Sequence, residues 1–251
     1  MKVKTYQSVD ELFSMITQIV PENQCIFRGV IDSSYDLITS IGRLPPLDSE
    51  REELERELML INEFKRKASL RVKCQPKNDW EWLSLAQHYG LPTRLLDWST
   101  NPLVALYFAT AHSPEELYGK ENLSNAALYM LVSHIHINSS YHISPFMIEE
   151  TLEFHAPSIS ERVVNQFGLF TVHNNPRKAF DTEKLYKFEI DGKLKPDIQK
   201  RLSILGISES TIYPGLDGIA RSLKTEMFSS TSRYYNPDSI PEHAKSQLHG
   251  L

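Results

Sequence analysis

The stretch Ala86-Gln-His-Tyr-Gly-Leu-Pro-Thr-Arg-Leu-Leu-Asp-Trp-Ser-Thr-Asn-Pro-Leu-Val-Ala-Leu-Tyr-Phe-Ala109 decides how this chain is read. Its first part crowds His88, Tyr89, Thr93, Arg94, Asp97, Trp98, Ser99, Thr100 and Asn101 together; apolar residues then follow at Leu103, Val104, Leu106, Tyr107 and Phe108. Gly90-Leu-Pro92 breaks the preceding element. Residues 93–98 read as a short extended or tightly turned segment. Ser99 or Thr100 is the expected N-cap, and Pro102 suits a first helical turn. The apolar spacing over 103–111 predicts a helix mostly buried in a core. The polar cluster therefore sits where a strand or turn feeds a helix N-terminus. Free N–H groups and the helix dipole favour an anion such as phosphate there. Taken singly, these residues have a structural reading in which Arg94 pairs with Asp97 and Trp98 packs. Taken together, they point to a site.

Upstream, Gln24-Cys-Ile-Phe27-Arg28-Gly29-Val30 predicts a short apolar strand with one arginine in it. A guanidinium beside a buried strand residue is costly unless it is paired or faces a cleft. Two readings stand level: a structural salt bridge, or a contact to phosphate oxygens, which the guanidinium fork suits. An amphipathic helix is expected near residues 9–20, and a clearer one over 49–68, with Leu54, Leu58, Ile61, Phe64 and Ala68 as its apolar stripe. Its charged face needs no partner. Residues 35–43 read as a loop, and 80–89 as the helix leading into the central stretch.

Downstream, Ala126-Ala-Leu-Tyr-Met-Leu-Val132 reads as a buried strand. His134 and His136 continue at strand spacing, but no nearby Cys or carboxylate completes a metal set, so a structural role is preferred. Residues 141–157 read as irregular and able to cover a pocket. Glu161-Arg162 through Gln166-Phe-Gly168 forms a second polar turn, feeding a strand over 169–173. A strand is expected over 185–190 and a helix over 196–205 closed by Gly206. A short connection is expected over 207–213 and a helix from Pro214 to about 228. Residues 1–228 form the expected single domain, with 229–251 a polar tail.

Composition narrows the function classes. Of 251 residues, 41% are hydrophobic and 24% charged; Lys plus Arg is 27 against 32 Asp plus Glu, a net charge of −5. That balance argues against a broad nucleic-acid surface. Two cysteines cannot build a disulfide framework, no apolar run reaches membrane-spanning length, and Asp10 and Glu11 interrupt any leader-like segment. A cytoplasmic setting without a membrane partner is expected. GxGxxG, P-loop, GxSxG and HExxH patterns are absent.

Phe27-Arg28-Gly29, the 86–98 segment, and Asn101-Pro-Leu-Val-Ala-Leu-Tyr-Phe-Ala109 together resemble the FRG domain, as do Arg162 through Phe170 and Tyr213-Pro-Gly-Leu-Asp-Gly218. That resemblance runs from about residue 20 to about residue 225. A weaker resemblance links the chain to arginine-type ADP-ribosyltransferases. Phe27-Arg28-Gly29 is similar to their first-strand motif, and Trp98-Ser99-Thr100-Asn101 to their Ser-Thr-Ser segment. Their third-strand glutamate has no clear counterpart; Gln166, with Glu161 nearby, takes its place without a Glu-x-Glu pattern. What the resemblance implies is an α+β fold, a split, mostly antiparallel sheet with surrounding helices. It also implies use of NAD to modify an unknown macromolecular acceptor, as in a bacterial or phage-associated toxin or defence effector. Arg28, Ser99, Gln166 and Glu161 would carry the catalysis. Arg28, Gly29, His88, Tyr89, Thr93, Arg94, Asp97, Ser99 and Thr100 would hold the dinucleotide. Two alternatives remain: a non-catalytic nucleotide-binding or sensing module, and a protein-interaction domain.

Overall fold

The computed structural model describes residues 1–19, 25–72, 75–111, 124–132, 136–138, 143–156, 166–216, 218–220 and 222–223. In chain order these form β1 (Lys2–Tyr6), α1 (Val9–Ile19), β2 (Cys25–Val30), α2 (Glu50–Ala68), α3 (Asp79–His88), β3 (Leu95–Ser99), α4 (Pro102–Thr110) and β4 (Ala126–Val132). There follow β5 (His136–Asn138), β6 (Leu152–His155), β7 (Gly168–Val172), β8 (Leu185–Ile190), α5 (Lys195–Ile204) and α6 (Glu209–Ile212). The strands make one eight-stranded sheet in the order β1-β8-β4-β2-β3-β7-β6-β5. The outermost pairs, β1–β8 and β5–β6, are parallel; every other pair is antiparallel. The architecture is therefore mixed α/β with a mostly antiparallel sheet.

One joint in that sheet is weak. β2 pairs with β4 along its whole length, Cys25 to Val30, and β3 pairs with β7 along its whole length, Leu95 to Ser99. Between β2 and β3 there is a single registered pair, Phe27 with Ser99. Continuing that register would set Arg28 against Trp98 and Gly29 against Asp97, but no ladder forms there. Instead the Arg28 guanidinium donates from Nη1 to the Asp97 carbonyl oxygen at 2.6 Å. A side chain thus satisfies a backbone acceptor where the two halves of the sheet part.

Strand periodicity assigns the faces. Phe27, Leu128, Met130 and Phe188 pack with Val104 and Leu106 of α4 and Ile198 of α5. Leu95, Phe154 and Phe170 pack with Ile61 of α2 and with Trp80 and Leu83 of α3. Since Phe27 and Ser99 are partners and Leu95 lies four residues from Ser99, both helical layers cover the same face. The opposite face buries Ile26, Leu96, Trp98, Tyr129 and Leu169 beneath Leu37 and Phe180 from loops.

Local chemistry sets the helix ends. Ser49 caps α2 by accepting from the Glu52 amide, and Asn78 caps α3 by accepting from the Glu81 amide. After α3, Gly90 takes φ 81°, and the Leu91 amide turns back to the Ala86 carbonyl at 3.0 Å. The α4 cap corrects the expectation from sequence: it is Asn101, whose side chain accepts from the Leu103 amide at 2.9 Å, not Ser99 or Thr100. Ser99 is still in the β3 ladder, opposite Gly168, so its backbone cannot turn into the helix.

Three further differences have local causes. β1, an exposed strand held by β8 alone, lacks the apolar alternation that would announce it; of its residues Tyr6 alone is buried. β6 lies within the stretch expected to be irregular, and it exists because β7 offers a partner. The connection over 207–213 contains α6, opened by a Ser208–Thr211 capping box. Helical residues occur at 216, 218–220 and 222–223, where the helix from Pro214 was expected. His134, Glu161, most of the polar connection 113–125, the rest of the Pro214 helix and the tail 229–251 lie outside the described residues.

Candidate functional site

The gap between β2 and β3 opens into a cavity of about 400 Å³. Tyr35, Asp36 and Arg43 border it from the loop face; Gln87 and His88 of α3 and Phe108 of α4 border it from the helical face. It therefore passes through the split in the sheet, with Arg28 and Asp97 on its walls. Aromatic, charged and amide groups line it together.

Gly29 makes the first wall possible. A Cβ at this position would fall on the Ala105 carbonyl oxygen and the Ala109 amide nitrogen of α4. Glycine here permits backbone to approach backbone, which draws α4 against β2 beside Arg28. Arg28 is partly buried, and its Nε is enclosed with no hydrogen-bond partner among the described residues. Burial pulls its pKa below the ordinary arginine value; the Asp97 carboxylate opposes that shift, and the nearby Arg43 guanidinium adds to it.

The second wall is a relay of hydrogen bonds ending at Asp97. Ser40 Oγ accepts from the Thr93 amide at 2.9 Å and donates to the Thr93 carbonyl at 3.2 Å. The Thr93 hydroxyl donates to Gln87 Oε1 at 2.6 Å. The Asp97 carboxylate can only accept, so it is the Gln87 amide nitrogen, Nε2, that donates to Asp97 Oδ2, at 3.0 Å, leaving Oε1 for the Thr93 hydroxyl. The same carboxylate oxygen lies 3.7 Å from Arg28 Nη1. The Asp97 side chain is nonetheless 58% exposed, and its Oδ1 has no hydrogen-bond partner among the described residues.

Ser99 serves the framework. Its hydroxyl donates to the Gln166 carbonyl at 2.7 Å and accepts from the Asn101 amide at 3.0 Å. It thereby ties the end of β3 to the start of α4 and to the turn before β7. In that turn Phe167 takes φ 49°, left-handed for a bulky residue, and its carbonyl accepts from the Thr100 amide. The Gln166 side chain reaches Ile212 of α6, Nε2 to carbonyl oxygen, at 3.5 Å.

Of the residues expected from sequence, Arg28, Gly29, His88, Asp97, Ser99 and Gln166 border this cavity. Thr93 and Arg94 are buried behind it, at 1% and 3% exposure. Tyr89 and Thr100 are exposed and do not border it. Glu161 lies outside the described residues. The structural reading of the motif also changes partners. Arg94 forks onto Glu57 of α2, Nε to Oε1 at 3.0 Å and Nη2 to Oε2 at 2.6 Å, with both side chains 4% exposed. Asp97 faces Arg28 instead. Trp98 packs, its Nε1 donating to Thr171 Oγ1 at 2.8 Å.

Gln87, Arg43, Asp36, Tyr35 and Phe108 are the residues that sequence reasoning missed. Gln87 stands inside the decisive stretch, but its role depends on Thr93 and Asp97 meeting it in space. Arg43 ends a single 3-10 turn, Ile41–Arg43, inside the stretch that reads from sequence as a loop. Two buried groups flank the site. Tyr129, beneath Arg28, has its pKa pushed up to about 12 by burial, with Asp36 and Glu189 adding to the effect. His173 is pushed down to about 3 by burial and by Arg28 and Arg94. Its Nε2 lies 2.8 Å from Thr171 Oγ1 and its Nδ1 3.4 Å from Thr151 Oγ1, so both ring nitrogens have a hydroxyl partner.

Among the described residues there is no group of three His, Cys, Asp or Glu that could hold a metal, and no helix long and apolar enough to cross a membrane. The chain matches no curated protein and no solved structure. A family model does match: the FRG domain, over residues 23–117, the span that carries Phe27-Arg28-Gly29, the Gln87–Asp97 relay and α4.

Proposed function

We propose that the cleft binds NAD and that the chain transfers its ADP-ribose to a macromolecular acceptor. The observation that carries this reading is the charge pattern of the cavity: two guanidinium groups, Arg28 and Arg43, and two carboxylates, Asp36 and Asp97, among aromatic rings. NAD is dipolar in the same way, with an anionic pyrophosphate and a cationic nicotinamide ring. Arg28 and Arg43 would take the phosphate oxygens, for which a guanidinium fork is suited. Tyr35 and Phe108 would supply faces for the rings. Breaking the nicotinamide–ribose bond develops positive charge on the sugar, and fixed acceptors in the cleft would stabilise it.

A second reading, a nucleotide-binding module without turnover, is favoured by Ser99 and Gln166. The Ser99 proton is committed to the Gln166 carbonyl, and Gln166 itself brings no charge.

Calorimetric titration with NAD and with ADP-ribose, together with nicotinamide release in a cell extract supplying acceptors, decides between them. Binding with release supports the transferase. Binding of both ligands without release in any extract supports the module. No binding of either at millimolar concentration leaves an interaction domain.

A further inference from the structure

We propose that Asp97 is the carboxylate that meets the ligand in this cleft, and that Gln87 is its positioning residue. The inference rests on the NAD reading and names the group which that reading leaves unassigned.

Four acidic or amide side chains border the cavity, Asp36, Gln87, Asp97 and Gln166, and the Gln87 amide oxygen is already taken by the Thr93 hydroxyl. Asp36 is exposed, and nothing among the described residues fixes its side chain. Gln166 carries no charge. Asp97 is both charged and oriented: Gln87 Nε2 donates to Oδ2 and Arg28 Nη1 lies 3.7 Å from it, while Oδ1 has no hydrogen-bond partner among the described residues and the side chain is 58% exposed. Of the residues behind this orientation Thr93 is buried, at 1% exposure, and Ser40 and Gln87 are half-buried. The Thr93 hydroxyl donates to Gln87 Oε1, and Ser40 holds Thr93 at both its amide and its carbonyl. A purely structural Asp97 would not need a relay of three polar side chains that leaves one carboxylate oxygen free. A surface ion pair of this length would contribute little by itself.

The geometry also selects the ligand chemistry. Oδ1 can accept from a hydroxyl, and Arg28 lies close enough for the same molecule to present phosphate to its guanidinium. A ribose hydroxyl beside a phosphate satisfies both. In the transfer, the bond between ribose C1′ and the pyridinium nitrogen breaks, its electron pair returns to the ring, and neutral nicotinamide leaves. A bond forms between C1′ and the acceptor nucleophile, whose proton passes to solvent. Asp97 stays ionised throughout, holding the ribose hydroxyl and offsetting the positive charge that grows at C1′.

The test uses the full chain and three variants, with NAD binding and nicotinamide release measured separately. Asp97→Asn keeps the shape and removes the charge. It is expected to bind NAD within about threefold of wild type and to release nicotinamide about 100-fold more slowly, the pattern of a group used in the transition state. Asp97→Ala is expected to recover about tenfold in rate on addition of formate, which returns a carboxylate to the vacated space. Gln87→Ala is expected to lower kcat about tenfold with KM little changed, because it loosens Asp97 without touching the ligand. A rate for Asp97→Asn within threefold of wild type, or no formate rescue of a folded Asp97→Ala, overturns the proposal and leaves the NAD reading standing. Wild type that binds NAD without releasing nicotinamide likewise removes the role of Asp97 alone. Wild type that binds no NAD removes both.

Discussion

Arg28 and Asp97 meet across the one place where the central sheet is not zipped. The arginine donates to the aspartate's backbone carbonyl at 2.6 Å and lies 3.7 Å from its carboxylate. One residue is on β2 and the other on β3, strands that share a single registered pair. The guanidinium therefore does two things: it replaces a missing ladder bond, and it puts positive charge on the wall of the cavity. Both follow from its fork, which offers several donors in one plane.

Replacing Arg28 by Lys separates these roles from bare charge. An ammonium keeps the charge but cannot reach the carbonyl and a ligand phosphate in the same geometry. Arg28→Lys is expected to weaken NAD binding by about tenfold, corresponding to about 1.4 kcal/mol. Isothermal titration of NAD into wild type and variant measures it; equal affinities would show that the fork is not used.

Gly29 and Gly90 are glycines for different reasons, and alanine at each should reveal it. At Gly29 the backbone angle is ordinary, but a Cβ would collide with α4 main chain that cannot move aside. Gly29→Ala is expected to cost about 3 kcal/mol or more, as overpacking against rigid neighbours does. At Gly90 there is open space but φ is 81°, so alanine should cost about 1–2 kcal/mol. Urea denaturation gives both values, and Gly90→Ala proving the costlier would contradict the argument.

Arg94 is assigned to the framework by its fork onto Glu57. Arg94→Leu leaves the Glu57 carboxylate buried and unpaired, with an expected loss of about 3–5 kcal/mol. Arg94→Leu combined with Glu57→Leu should recover most of that loss, since the stranded charge is gone. NAD affinity, measured where each variant remains folded, should stay near wild type. A selective loss of affinity would return Arg94 to the list of phosphate ligands that the sequence suggested.

His173 gives a pH dependence of defined sign. The unfolded chain takes up its proton near pH 6.5, whereas the folded protein does so only near pH 3. Between these values the unfolded state binds more protons, so stability is full above pH 6.5 and falls as pH drops towards 3. The slope from this group is roughly 1.4 kcal/mol per pH unit in that window. Denaturant midpoints taken from pH 7 to pH 4 should fall less steeply for His173→Gln than for wild type. Parallel curves would mean that the ring is not held neutral.

The sequence by itself determined the local frame of the site. Gly90-Leu-Pro92 ended one helix, Pro102 opened the next, and the apolar runs at Ile26 and Ala126 became adjacent strands of one sheet. These features are legible because propensity, capping and periodicity act over a few residues. The clustering of Arg28, Ser99 and the polar residues before α4 was legible too, as a junction feeding a helix.

Tertiary structure alone decided which members of the cluster face the cavity. Arg94 and Asp97 are three apart, yet one is sealed against Glu57 from α2 and the other is held open by Gln87 from α3. Sequence spacing cannot distinguish these outcomes, because each depends on a partner delivered by a separate helix. The same holds for Arg43, which reaches the cavity from a short 3-10 turn that the sequence does not announce, and for β1 and β6, whose pairing depends on a neighbouring strand rather than on their own residues. Local chemistry sets where the chain turns and what it buries; the burial or exposure of a charge is set by what packs against it.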